Sequence, residues 1–428
     1  MEGKSSGSFM HGYESFSRRP ASEIRAAISS STIALDTNAI INLYRMDKEA
    51  REEYLSVLAE VADRVWIPRQ VADEFHRTRL SAVSSHINSL EAKSEKVTEA
   101  ALALKTALQD FAKLRSLADG RSKEYLAPLD EAISKILSHV ANDVEGFDLN
   151  AGKLASHDPI LERLAVLFDG KVGEMRTEDA MREAQEEAKR RGDLKIPPGY
   201  RDVESKGEKG YGDYLIWNEL IEYAKISARS MVFVSTDLKD DWIRHQAGLA
   251  IGARPELVAE MKTEAGVDYL HLPLADFLKH ASSVLLVEVS QNTIAQVKHQ
   301  EREEVIHAKL WNNLHSRMNA VSFAESKVDH ARDQVMMVKA RTAEALDDIR
   351  GLEAILEDVT TSEKQHANIR MLLADRRSDL ARAHDDERMY TQELRLLEQD
   401  SQALSREMAE AERALAARGY KVSPPSST

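Results

Sequence analysis

Five acidic residues stand where α/β proteins do chemistry: Asp36, Glu74, Asp213, Asp237 and, four residues on, Asp241. Asp36 follows the apolar, β-branched run Thr32–Leu35, and Asp237 follows Met231-Val232-Phe233-Val234-Ser235. Such runs read as buried parallel strands, and open α/β sheets bind ligands beyond the carboxyl ends of their strands. Glu74 falls in the opening turn of a helix behind a third run, Val65-Trp66-Ile67-Pro68, and Asp213 opens an amphipathic helix behind Gly210-Tyr211-Gly212. Singly, each acid reads as a helix cap or a solvated carboxylate. Together they require a cation, because close carboxylates do not all ionise unaided. The chain has no cysteine, so a metal here has oxygen or histidine ligands, and a hard oxygen set favours Mg2+ or Mn2+. Two such ions would activate a water and stabilise the leaving oxygen of a phosphodiester.

The elements that must hold these acids alternate. A short helix over Ala21–Ser29 precedes the first strand, and Asp36-Thr37-Asn38 caps a helix beginning near Ala39. After Pro68 a helix starts near Val71 and continues far beyond Glu74, with Leu80, Val83, Ile87, Leu90, Val97, Leu104 and Phe111 on a heptad seam. Asp119-Gly120 reads as a turn, and Leu126, Leu129, Ile133, Ile136 and Val140 bring the period back, which predicts an antiparallel helical hairpin. A charged helix over 174–191 closes at Gly192, and Lys195-Ile196-Pro197-Pro198-Gly199-Tyr200-Arg201-Asp202 is expected to be loop. A helix through Trp242, another from Pro255 to Glu264, a strand Tyr269–Leu272 and a helix Leu274–His280 complete the alternation.

From about Val297 the pattern changes to unbroken heptads. Val321, Val328, Val335, Val338 and Ile349 lie on one seam, and Leu373, Leu380, Leu394, Leu404 and Leu415 on a second, three residues out of phase. A hairpin is favoured over one continuous helix with a stammer. Charges here nearly balance, at 20 Lys/Arg against 24 Asp/Glu, which marks a solvated coiled coil rather than a nucleic-acid-binding arm. The whole chain carries a formal charge of −14, so any nucleic-acid contact is local. Its N-terminus lacks the apolar core of a signal peptide and no stretch spans a bilayer, so a cytoplasmic location without membrane contact is expected.

In order, LDTNAIINLYR, WIPRQVADEFHRTR, KIPPGYRD, GYGDYLIWNELIEYAK and VFVSTDLKDDW resemble the PIN-like nuclease family. The similarity runs from about Ile33 to His280 and is greatest to a bacterial subfamily with a helical insertion after the second strand. It implies an α/β three-layer sandwich with a parallel sheet and endonuclease action on RNA in preference to DNA. It also implies a toxin-like or anti-phage role. Its metal-binding acids fall on Asp36, Glu74, Asp213 and Asp237, with Asp241 auxiliary, and Thr37 and Asn38 as holders of bound water or phosphate. The expected organisation is a disordered lead-in (1–20), a nuclease domain (21–290, insertion about 77–145), a coiled-coil domain (297–418) and a disordered tail (419–428).

Several basic residues have two readings. His76, Arg77 and Arg79 suit backbone phosphate or plain surface charge; Lys195 and Arg201 suit substrate or a structural loop; Lys239 is placed to touch a phosphate. Trp217 and Trp242 read as core, and His245 is not expected to be a ligand. Two rival functions remain open: a non-catalytic scaffold whose coiled coil binds another protein, and a phosphoesterase of small nucleotides. The C-terminal seams, with Glu387 polar at a core position, predict self-association.

Overall fold

In a computed structural model the apolar runs become the strands of one parallel sheet. The structure describes Tyr13, residues 16–116, 119–247, 249–357, 363–418 and Tyr420; most of the lead-in and the tail from 421 lie outside it. The chain runs α1 (Ala21–Ser30), β1 (Thr32–Leu35), α2 (Thr37–Ile41), α3 (Lys48–Glu60), β2 (Val65–Trp66), α4 (Arg69–Leu114) and α5 (Asp119–Glu145). It continues through α6 (Ala151–Ser156), α7 (Pro159–Phe168), α8 (Glu178–Leu194), α9 (Tyr200–Lys206), α10 (Gly212–Ser227) and β3 (Met231–Ser235). A β-hairpin follows, β4 (Ile243–Gln246) with β5 (Leu249–Ala253), then α11 (Pro255–Ala265), β6 (Tyr269–Pro273), α12 (Leu274–Leu285), α13 (Gln291–Glu357) and α14 (Glu363–Ala417).

The sheet order is β2-β1-β3-β6, all parallel, with Ala34 opposite both Trp66 and Phe233 and Val234 opposite Leu272. β1 and β3 are central and every residue in them is buried, as their continuous Val, Ile and Leu content requires. Helices cover the sheet: α1, α3 and α12 pack together, as do α4, α8, α10 and α11. The described residues divide into two units between Ala308 and Lys309, inside α13. The first turns of that helix belong to the sheet's own core, where Ile294 and Val297 are buried.

The predicted hairpin is α4 against α5, tied by Lys105 to Asp130 at 2.8 Å. Its seam drifts. Val97, Leu104, Phe111 and Ile136 are exposed, and Ala112 is buried in place of Phe111. A straight helix slips about 20° per heptad against a 3.5-residue repeat, so about four heptads move the buried stripe by roughly one residue. In the second unit α13 and α14 are antiparallel. Arg332 pairs with Glu398 at 2.9 Å, Arg377 with Glu353 at 2.7 Å and Arg376 with Asp348 at 3.3 Å, one consistent register of a hairpin. Val321, Val328, Val335, Val338 and Ile349 are buried along it, with Leu373 and Leu415 opposite.

Four local expectations are corrected. No helix passes through Trp242; a turn leads instead into the β4–β5 hairpin, whose backbone groups pair with each other. The Pro-Pro-Gly segment is loop only to Gly199, because Tyr200–Lys206 is helical beyond the two prolines. Gly192 lies within α8, and it is Lys195, in the left-handed conformation, that ends the helix. Asp119 and Gly120 belong to α5 and are helical rather than a turn.

Candidate active site

The carboxyl ends of β1 and β3 lie side by side, so the segments that follow them meet. Asp36 caps α2, its Oδ1 accepting from the Thr37 amide at 2.8 Å, and its Oδ2 accepts from the Ser235 hydroxyl at 2.5 Å. Ser235 in turn receives the Asp237 amide at 2.8 Å, so one hydroxyl sets two of the expected acids relative to each other. Thr37 donates through its hydroxyl to Glu74 Oε2 at 2.8 Å, and Gln70 donates to Glu74 Oε1 at 2.6 Å. Helix α10 approaches because residue 212 is glycine: a Cβ there would stand 2.8 Å from Glu74 Oε1. Asp213, one residue on, is thereby brought to the same place.

The centre of the acids is an ammonium group. Lys239 Nζ lies 2.8 Å from Asp237, 3.1 Å from Asp202 and 3.9 Å from Asp213. Asp202, on α9, is a sixth acid, buried and bridged also by Lys206 at 2.9 Å. Asp241 is fully buried, and its Oδ2 accepts from the Gly199 and Arg201 amides at 3.1 and 3.4 Å. Asp213 Oδ2 and Asp241 Oδ1 accept no hydrogen bond.

Burial dominates the electrostatics. It pushes the Asp36 carboxyl up to about 7, with the charges of Asp237 and Glu74 adding to it against the Ser235 and Thr37 bonds. Burial likewise raises Glu74, takes Asp213 well above the usual carboxylate range and lifts Asp241 to about 6. Burial disfavours the charged form of Lys239, yet Asp237, Asp202, Asp213 and Asp241 hold its pKa well above the ordinary value. Burial pushes Asp202 upward too, and Lys239 and Lys206 more than reverse it. The cluster holds more carboxyl than cation, which makes it a place for positive charge.

The other expected residues are distributed as follows. Asn38 is half-buried with an unpartnered Oδ1. His76 and Arg77 are exposed on α4, the latter near enough to Glu74 to lower its pKa. Arg79 is engaged by Asp158 at 3.3 Å, which also receives the Tyr44 hydroxyl at 3.0 Å. Lys195 is exposed beside Glu204, Arg201 pairs with Asp240 at 2.8 Å, and Lys239 points into the acids. Trp217 and Trp242 are core residues in edge-to-face contact, and His245 pairs with Asp240. The sequence reading missed Asp202, Ser235 and Gln70. Asp202 carried one local signal, Lys206 one helical turn later.

Among the described residues no three carboxylate or imidazole groups are arranged to hold one metal ion as they stand. Their chemistry nevertheless fits a hard cation: the donors are oxygens, and two buried carboxylate oxygens accept no hydrogen bond. No curated protein and no solved structure matches the chain. A family model described as a PIN like domain matches residues 32–257, over half of the 428, a span that holds all six acids. The chain belongs to the PIN-like domain family.

Proposed function

We propose that this protein is an Mg2+- or Mn2+-dependent endonuclease that prefers RNA, and that it serves as a bacterial toxin-like or anti-phage effector. PIN-like domains are generally nucleases. The observation that carries the reading is the buried acid cluster at the exits of β1 and β3, with Asp36 raised to about 7 and Asp213 Oδ2 without a hydrogen bond. Asp36, Asp213 and Asp237 would hold the ion, with Glu74 and Asp241 for a second ion or the attacking water. Bound there, Mg2+ or Mn2+ would supply Lewis-acid stabilisation of the phosphodiester and a more acidic water. The chain's part is to orient. Ser235 fixes Asp36 against Asp237, and Thr37 and Gln70 fix Glu74, whose carboxyl burial raises and which is proposed to take a proton from the attacking water. Half-buried Asn38 and exposed His76 and Arg77 are the residues proposed to meet the strand.

Purified protein incubated with RNA and DNA in Mg2+, Mn2+ or EDTA tests the proposal. RNA cleavage with either ion, none in EDTA, and a loss of about 100-fold or more in Asp36→Asn are expected, the scale for losing one group that supports electrostatic stabilisation of the transition state. Cleavage that persists in EDTA overturns it.

One observation favours the scaffold reading instead. Lys239 already supplies a cation to Asp202, Asp213 and Asp237. A scaffold would show no Mn2+ binding that Asp36→Ala/Asp237→Ala removes, and titration separates the two.

A further inference from the structure

Three side chains spaced one helical turn apart on α13 engage the segment that follows α2. Gln296 Nε2 donates to Asp47 at 3.1 Å, Gln300 Nε2 donates to the Arg45 carbonyl at 3.3 Å, and Glu304 Oε1 pairs with Arg45 at 2.5 Å. The fourth contact of this stripe reaches the acids. Glu304 Oε2 accepts from the Thr236 hydroxyl at 2.7 Å, and Thr236 is fully buried between Ser235 and Asp237.

We propose that Glu304 is a positioning residue of the nuclease site, tying the Ser235–Asp237 turn after β3 to Arg45 at the far end of the α2 segment after β1. The inference rests on the nuclease reading above. Residue 304 lies outside the matched span of 32–257. Its place follows from connectivity. The Ser235 hydroxyl links the Asp36 carboxylate to the Asp237 amide, at 2.5 and 2.8 Å. Glu304 adds a second brace on the neighbouring residue and anchors it to the other strand exit. Two further contacts keep α13 in place: Glu301 accepts from the Ala275 amide at 3.0 Å, and the Ser290 amide donates to Glu53 at 2.9 Å. Without the carboxylate, the buried Thr236 hydroxyl has no acceptor and the turn carrying Asp237 loosens.

Full-length Glu304→Ala and Glu304→Gln decide it. The glutamine keeps an oxygen for Thr236 and loses only the charge facing Arg45. The expected result for Glu304→Ala is a kcat lower by about 100-fold, the cost of an ångström-scale misplacement, with KM unchanged. Backbone hydrogen exchange across 234–238 is expected to quicken in the same variant, and Glu304→Gln to restore most of kcat. A Glu304→Ala protein with wild-type kcat, or with unchanged exchange across 234–238, overturns the inference. A wild type that cleaves no nucleic acid sinks the nuclease reading instead, while the exchange measurement still decides whether the brace exists.

Discussion

Lys239 is the side chain on which the acid cluster balances, and its removal shows how much. In Lys239→Met the acids at 202, 213 and 237 lose their ammonium partner inside a buried site. Breaking a buried charge network from one side costs about 3–5 kcal/mol, so the urea midpoint falls sharply and Asp202→Asn in the same chain recovers part of it. A second buried acid gives a pH dependence. Glu301 is raised from 4.5 to about 8 by burial, aided by the charges of Asp276 and Glu304 and opposed by its bond from Ala275. Between those values the unfolded chain has released a proton that the folded chain keeps, so stability falls as pH climbs from about 4.5 to about 8. Glu301→Gln removes that slope. Its melting temperature relative to wild type is expected to rise between pH 5 and pH 8, each ~1 kcal/mol appearing as about 2–4 °C.

Elements come together here through what residues lack as much as through what they carry. Gly212 admits α10 to the Glu74 carboxylate. In Gly212→Ala the methyl displaces Glu74 from Gln70 and Thr37, while the helix itself gains propensity by up to ~1 kcal/mol. Thermal stability is expected to hold, and cleavage to fall by about tenfold or more, since small misplacements are costly. Much of this layer was legible in the sequence. β1 and β3 match their predicted bounds because uninterrupted β-branched runs have one use in an α/β chain. The α4–α5 and α13–α14 hairpins follow from heptads. The β4–β5 hairpin was not legible: Arg244, His245 and Gln246 show no apolar alternation, and the strands hold mainly by pairing with each other. The six-residue α6 was too brief for periodicity to declare, and the ten-residue α7 was missed although Asp158-Pro159 marks its start. At the site, five acids were readable from strand and helix ends, and all five lie in this region of the fold. Asp202 and the central place of Lys239 depend on contacts 37 residues apart in sequence, which no local pattern records.

At the scale of the molecule, self-association through the C-terminal helices is the expectation most open to test. Within that unit Phe323, Met336, Met337, Met371, Met389 and Leu396 are exposed, so the hairpin's own seam leaves apolar surface on both helices. Two hairpins joined as a four-helix bundle would cover it. Light scattering on the full chain at micromolar concentration is expected to give a dimer or larger species, and Phe323→Ser/Met336→Ser to shift it towards monomer. A wild-type monomer leaves the coiled coil as a spacer or a docking site for another protein. Among the described residues no helix is long and apolar enough to cross a membrane.

The ammonium at the heart of the acids also governs how the protein can be handled at the bench. Proteins folded around a metal come apart when a chelator takes it. Here the resident positive charge is covalently part of the chain, with 14% of the Lys239 side chain exposed, and no chelator removes it. On the proposed nuclease reading, the folded chain is therefore expected to survive stripping of divalent ions, to tolerate mixing with nucleic acid at leisure, and to start on command with a pulse of Mn2+. That makes the encounter with substrate and the bond-breaking event separable in time.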